Sequence, residues 1–409
     1  MPRELLLQSV LVGVCTLWTV LGLWAVRRRA RRTQRLARAR RNADSSQEAV
    51  WPRPITLVMP LAGCDPDLED NLERCFRQRH PRHRLLFVVR GEHDPALAVL
   101  RRVRARHPGA PATVVVHGGQ GALNPKVDNL LGALPFLRTD LVAFVDSNVA
   151  LAPDFLLRAS RRFAERPRLG LLSHPIVAGG ARSLADRLEA SWLGGPMRSA
   201  VAVAHRVGRH PVVVGKALVL RRDVLERLGG LRQLAETLAE DYVLGRLFHE
   251  AGWEVELADE PVRQPCGGGT LRRFYARQLR WAMLRARLQP LAFALEPVTS
   301  PWWVLAQLAL WGAFHPALLL WAAGLELVRS VLVPWRAGQR PTVEAWLLAP
   351  LRDAVVLAAW SVAPLQRRVR WRGTELRVSA GTRLYRTAEA GRPAGSPSLP
   401  PGPPLALAG

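Results

Sequence analysis

Lysine is nearly absent from this chain. Of 58 basic residues among 409, only Lys126 and Lys216 are lysines, so the formal charge of +25 rests on arginine. With Ala, Gly and Pro also abundant, that bias follows from a GC-rich coding sequence, and arginine count alone does not argue for nucleic acid. Cysteine is scarce as well: Cys15, Cys64, Cys75 and Cys266 are scattered and form no C-x-x-C pair. This argues against a disulfide framework and a thiolate zinc site, and it fits a reducing compartment. No G-x-G-x-x-G follows a strand and no G-x-x-x-x-G-K-[S/T] occurs, which argues against a dinucleotide enzyme and a P-loop NTPase. There is no internal repeat.

What is present is apolar length at both ends. Leu5 to Val26 is a run of 22 residues without a charge, enough to cross a hydrocarbon core of about 30 Å. It has no small-residue cleavage site and is read as an anchor rather than a signal peptide. Nine arginines crowd the 15 residues from Arg27 to Arg41. Beside an apolar helix, such a block sets topology and holds anionic lipid, with the basic side in the cytoplasm. A nucleic-acid-binding arm is the weaker reading, and nucleic acid is not expected as a partner. Trp302 to Val328 is long enough to span, and Trp346 to Pro364 is apolar around Arg352–Asp353. A charged pair inside a membrane segment is costly, so that segment is read as re-entrant, interfacial or packed on protein. Two or three membrane elements are expected in this half.

Between these ends, from Ile55 to about residue 289, strand-like and helix-like segments alternate, the pattern of an α/β sheet covered on both faces. Strands are expected at 55–61, 84–90, 112–118, 141–147 and 211–220, with helices near 66–78, 94–106, 126–137 and 153–165. The expected organisation is an anchor (1–27), a basic juxtamembrane linker (28–50), a catalytic domain (51–289), a membrane-associated region (290–387) and a disordered Pro/Gly-rich tail (388–409).

Three aspartates stand at element ends: Asp94, Asp146 and Asp241. Acids at strand ends of an α/β sheet can hold a divalent metal and the phosphates of a nucleotide, although aspartate is also common in turns. Asp146 ends the apolar run LVAFV and sits at the mouth of the sheet. Glu240 and Asp241 open an amphipathic helix that runs to a glycine C-cap at Gly252, followed by alternation at Trp253, Val255 and Leu257. Acids in a first turn complement the helix dipole, so capping and chemistry both remain open there. RQLRWAMLRAR (277–287) reads either as an interfacial helix with a tryptophan belt or as a guanidinium cluster facing a diphosphate.

VDSN (145–148), GKALVLRRDVL (215–225), AEDYVLGRLFHEAGW (239–253) and RQLRW (277–281), in this order, resemble the inverting GT-A glycosyltransferases of the ceramide glucosyltransferase group. PLAGCDPDLEDNL (60–72), HDPALAV (93–99) and NPKVDNLL (124–131) are similar to that group's segments too, so the resemblance spans about residues 5–380. It implies a GT-A domain (a Rossmann-like nucleotide-diphospho-sugar transferase) with an N-terminal transmembrane anchor and C-terminal membrane helices. It further implies that Asp94 lies near the uridine nucleotide, that Asp146 helps hold Mg²⁺ or Mn²⁺ with the diphosphate, and that Asp241 is the base. Lys126 and Glu240 join the nucleotide-sugar site, and Arg277, Arg280 and Trp281 match the motif implied to hold diphosphate or acceptor. Lys126 and Lys216 both fall inside matched segments. GGPMR (194–198) departs from the His-Pro-Arg of animal members, with Pro196 in the histidine's place when the arginines align.

The expected activity is transfer of a sugar, glucose first, from a UDP-sugar to a lipid hydroxyl such as ceramide, with inversion, by a multi-pass membrane protein with a cytoplasmic catalytic domain. Rivals are a transferase for diacylglycerol or another lipid, a processive polysaccharide synthase, and a non-catalytic basic membrane protein.

Overall fold

The computed structural model describes residues 3–43, 51–208, 211–340, 342–371, 374–386 and 405–407. After helix α1 (Arg3–Ala43) come β1 (Ile55–Leu61), α2 (Leu68–Phe76), β2 (His83–Arg90), α3 (Pro95–Ala105), β3 (Ala112–His117), α4 (Pro125–Ala133), β4 (Leu141–Val145), α5 (Phe155–Glu165) and β5 (Leu169–Ser173). Next are β6 (Ile176–Gly179), α6 (Leu184–Gly194), α7 (Pro196–Val207), β7 (Ala217–Arg221), α8 (Arg222–Arg227), α9 (Glu240–Glu250), β8 (Glu254–Leu257), β9 (Val262–Pro265) and α10 (Leu271–Leu288). Short helices follow: α11 (Pro290–Ala294), α12 (Pro301–Leu310), α13 (Ala317–Leu327), α14 (Val333–Arg336), α15 (Val343–Leu347) and α16 (Ala349–Val362). Strands β10 (Arg368–Trp371), β11 (Thr374–Val378) and β12 (Leu384–Arg386) come after them.

Two compact units emerge, and neither is continuous in sequence. One holds residues 46–176, 210–265 and 368–409; the other holds 1–45, 177–209 and 266–367.

The first unit is built on a mixed sheet. β3, β2, β1 and β4 run parallel; β7 enters antiparallel beside β4; β5 then pairs antiparallel with β7 and parallel with β8. The strands are near-continuous Val/Leu/Ile runs because both faces are covered, as in most parallel sheets. β1, β4, β5 and β7 are buried at every residue. Leu86, Val88, Val115, Val142, Phe144 and Leu220 pack with Val127, Leu130 and Leu131 of α4 and with Leu244 and Phe248 of α9. α9 stops as its sequence predicts: Gly252 adopts φ +80°, and Trp253 N–H reaches back to the Phe248 carbonyl, the left-handed glycine stop of a Schellman motif.

The expected strand over 211–220 begins only at Ala217, and residues 211–216 form an irregular approach to it. Because β7 is antiparallel to β4, Ala217 pairs with Val145, and Asp146 N–H donates to the Lys216 carbonyl at 3.0 Å. The amino end of one strand thus meets the carboxyl end of the other. β10 to β12 form a small antiparallel sheet within this unit. The Pro/Gly-rich tail lies outside the described residues except for Leu405–Leu407, a short strand antiparallel to β3. Residues 44–50 of the expected linker also lie outside them, and its residues 28–43 continue helix α1.

The second unit is helical. Two of its helical stretches, Arg3–Arg35 and Ala317–Arg336, are long and apolar enough to cross a membrane. The apolar stretch from Trp302 to Val328 is not one span. Gly312 takes φ +68°, Ala313 N–H bonds to the Leu308 carbonyl, and α13 restarts after Pro316. A left-handed glycine and a proline break the helix where hydropathy alone sees continuity. Arg352 and Asp353 are packed on protein: Arg352 is fully buried and bonds Asp353, Glu326, Ser191 and Ser330.

Candidate active site

The site grows from the carboxyl edge of β4. Asp146 follows the buried strand LVAFV directly, and its turn is fixed from both sides. Ser147 Oγ donates to Asp65, and Asn71 Nδ2 donates to the Ser147 carbonyl at 2.9 Å. Asp146 therefore holds a fixed place at the rim.

α4 supplies the first counter-charge, and each polar residue of NPKVDN has a task. Asn124 caps the helix by accepting from the N–H groups of Lys126 and Val127, with Pro125 preset at the first helical position. Asp128 accepts from the N–H groups of Gln120 and Ala122 and so ties down the glycine-rich loop GGQGAL (118–123). Asn129 donates to the Leu61 carbonyl. Lys126, held at the helix start, points Nζ at Asp146 Oδ1 (2.9 Å), Glu240 Oε1 (3.2 Å) and the Gly215 carbonyl oxygen (2.6 Å).

Lys216 arrives from the other side by the antiparallel entry of β7. Its Nζ lies 3.1 Å from Asp146 Oδ2 and 2.9 Å from Asn148 Oδ1. One carboxylate is thus held between the chain's two lysines. Burial alone raises the Asp146 pKa, but the ammoniums of Lys126 and Lys216 outweigh it and bring it down to about 2. For Lys126 burial works against the charge, yet Asp146 and Glu240 hold its pKa above the usual lysine value.

Glu240 and Asp241 come from the first turn of α9. Neither caps it: the N-cap is Ala239, which offers no side-chain bond. Glu240 instead accepts from Asn124 Nδ2 at 3.3 Å and faces Lys126. Burial raises its pKa; Lys126 opposes that, and Asp241 and Asp146 add to it. Asp241 accepts from the Tyr242 N–H and packs against Gly215. A Cβ on Gly215 would stand 2.6 Å from Asp241 Oδ2, and one on Gly245 would meet Val213 at 2.3 Å. Two absent side chains let α9 press its acidic turn onto the 213–216 segment.

Lys126, Asp146, Glu240 and Asp241, all singled out from the sequence, are therefore gathered in one unit. Lys216, Asn148 and Gly215 complete the group. Lys216 was marked by the rarity of lysine and by its matched segment; Asn148 and Gly215 lie in the VDSN and GKALVLRRDVL segments but were given no role there. Asp94 is the N-cap of α3 and accepts from Ala96 N–H (2.9 Å) and Gly63 N–H (3.0 Å) at the carboxyl edge of β1 and β2. Arg277, Arg280 and Trp281 lie on α10 in the helical unit, where Arg277 donates to Glu189 of α6. Sequence reading did not find Glu189.

Among the described residues, no group of three or more His, Cys, Asp or Glu side chains is placed to hold a metal ion. Asp146 and Asn148 are two oxygen donors on one turn. A Mg²⁺-type site needs one or two carboxylates, completed by substrate phosphates and water, and that limited set fits this turn.

The model of glycosyl transferase family 21 matches residues 10–384 of this chain. Ceramide glucosyltransferase 1 of Caenorhabditis elegans is 26% identical over 247 residues, covering 60% of this chain and 52% of the relative. Ceramide glucosyltransferase of Komagataella phaffii is 22% identical and covers 80% of this chain and 82% of its own. The chain spans about half the length of the C. elegans relatives it matches. Among solved structures, the mannosyltransferase PcManGT of Pyrobaculum calidifontis, in complex with GDP-Man and Mn²⁺, aligns with a TM-score of 0.51 at 19% identity. That alignment covers 87% of this chain and 99% of the other. The shared architecture is the GT-A fold expected from the sequence.

Proposed function

We propose that this chain, which belongs to glycosyl transferase family 21, transfers a sugar from a UDP-sugar to the hydroxyl of a membrane lipid with inversion. Glucose and ceramide are the first choices, because relatives named as ceramide glucosyltransferases match the chain. The observation that carries the reading is the gathering of Lys126, Asp146, Lys216, Glu240 and Asp241 at one sheet edge.

Asp241 is the base. It takes the proton of the lipid hydroxyl as that oxygen bonds to the anomeric carbon, and the bond from that carbon to the diphosphate oxygen breaks. Attack on the face opposite the leaving group inverts the carbon, and one carboxylate suffices. Gly215 and the α9 helix hold Asp241 in place for that approach. Lys126 places positive charge where the departing nucleoside diphosphate gains negative charge, and Glu240 fixes the Lys126 ammonium. Asp146 and Asn148 would hold Mg²⁺ or Mn²⁺, which supplies further neutralisation of the diphosphate. Asp94 serves the nucleotide, and Arg277, Arg280 and Trp281 serve diphosphate or acceptor, on the resemblance alone.

The apolar helices at Arg3–Arg35 and Ala317–Arg336 suit a multi-pass protein whose acceptor stays in the bilayer, and the arginines from Arg27 to Arg41 suit a cytoplasmic catalytic domain. α7 opens on Pro196, which stands where the resemblance places a histidine in animal members, so diacylglycerol belongs in the assay beside ceramide. The test is to incubate membranes containing the protein with labelled UDP-glucose, UDP-galactose or UDP-N-acetylglucosamine and either lipid. One labelled glycolipid is the expected product; no labelled lipid from any donor overturns the reading.

A further inference from the structure

Lys216 occupies the two oxygens that the fold offers to a cation. Its Nζ bridges Asp146 Oδ2 at 3.1 Å and Asn148 Oδ1 at 2.9 Å, while Lys126 holds the other Asp146 oxygen at 2.9 Å. Lys126 is tied further, to Glu240 and to the Gly215 carbonyl oxygen. The two lysines are thus unequal: Lys126 is clamped by three groups, whereas Lys216 rests on the metal-type donors themselves. An ammonium and a divalent ion cannot share those lone pairs, so one must leave for the other to enter.

Charge decides what lets Lys216 go. Lys126 and Lys216 are the two ammoniums that face the Asp146 carboxylate, one on each oxygen. A departing ammonium would abandon a partly buried carboxylate, which is costly without a replacement cation. A divalent ion arriving alone replaces that charge but pushes the Lys216 ammonium off both oxygens with no new anion for it to follow. A nucleoside diphosphate changes the balance, because it brings its own oxygens for the ammonium to follow. Lysine suits that movement: it is a compact point charge on a flexible four-carbon arm, whereas the planar guanidinium fork is built to lock two oxygens. In a chain whose 58 basic residues include only two lysines, both stand here.

We propose that Lys216 is an exchangeable counter-ion: it guards Asp146 and Asn148 in the free protein and passes to the donor diphosphate when that binds, freeing both oxygens for a divalent cation. The proposal rests on the reading above that the site takes a nucleoside diphosphate sugar. It predicts that metal binds with the nucleotide and only weakly before it.

The test uses the full chain in nanodiscs, with bound Mn²⁺ measured by electron paramagnetic resonance, with and without UDP. UDP tightens Mn²⁺ binding to the wild type by at least about tenfold, the lower end of what neighbouring groups do to metal affinity. Lys216→Met binds Mn²⁺ without UDP about tenfold more tightly than the wild type, and Lys216→Arg does not. Equal Mn²⁺ affinity of the wild type with and without UDP overturns the proposal, and this comparison needs no variant to fold. So does Lys216→Met binding Mn²⁺ no more tightly than the wild type, provided its circular dichroism is native. If UDP binds and sugar is transferred while either result stands, only the exchange is wrong. If UDP does not bind at all, the glycosyl-transfer reading falls with it.

Discussion

Two of the charge clusters among the described residues, one in each unit, are built differently. In the helical unit, Glu326, Arg329, Arg352 and Asp353 balance to zero and are between 0% and 7% exposed. Ser300 and Ser330 donate to Asp353 and Glu326, and Arg352 also reaches Ser191. Nothing is left to bind. In the α/β unit, Lys126, Asp146, Lys216 and Glu240 are between 13% and 22% exposed, and acids outnumber lysines once Asp241 is counted. A balanced, closed network fixes helices against each other; an unbalanced, half-open one still has charge to satisfy. The same ion-pair chemistry therefore makes a scaffold in one place and a site in the other.

That contrast breaks first at Asp241. Asp241→Asn keeps the shape and removes the proton acceptor, so sugar transfer falls about 10²–10⁴-fold while the melting temperature barely moves. Transfer that persists in a folded Asp241→Asn protein would strip the α/β cluster of its chemistry. Arg352→Met does the opposite: it leaves Glu326 and Asp353 buried with fewer partners, at a cost of about 3–5 kcal/mol. The readout is thermal unfolding in detergent, and an unchanged melting temperature would mean that the closed network is not a scaffold.

Much of this was legible in the sequence, and the parts that were not share a cause. The β–α alternation, the acids at strand ends and the glycine stop of α9 follow from local periodicity and turn chemistry. The convergence of Lys216 on Asp146 does not, because it depends on β7 entering antiparallel between β4 and β5, a pairing set by contacts far apart in sequence. Likewise, Arg352 and Asp353 are visible as an oddity, but Glu326 and Arg329, which neutralise them, are brought there by packing. The broken span at 311–316 had its signals in Gly312 and Pro316; averaging hydropathy over a window erased them.

Gly215 sharpens the comparison at a smaller scale. In Gly215→Ala, the new Cβ would fall 2.6 Å from Asp241 Oδ2, so the carboxylate must shift. A displacement near 1 Å can cost about 10²-fold in rate, and that loss is expected in transfer. Gly118→Ala is the control, since a Cβ there meets nothing within 4 Å. Equal activity of the two variants would mean that the close approach to Gly215 does not position the base.

The smallest effect is expected at the brace before α9. Leu384 N–H donates to the Glu236 carbonyl at 2.7 Å and Leu238 N–H donates to the Thr382 carbonyl at 2.9 Å, beside an Arg383–Glu236 ion pair. The pair looks prominent, yet its side chains are 62% and 51% exposed, and exposed pairs contribute about 0–1 kcal/mol. The backbone bonds, not the charges, then hold the start of α9 in register with Lys126. Arg383→Gln should change stability by less than about 1 kcal/mol and leave transfer within about twofold of the wild type. Those bonds remain in that variant, so a large loss of transfer with unchanged melting would show that the exposed charge itself acts on the site. It would also mean that an open, solvated ion pair can matter as much as the half-buried one at Asp146.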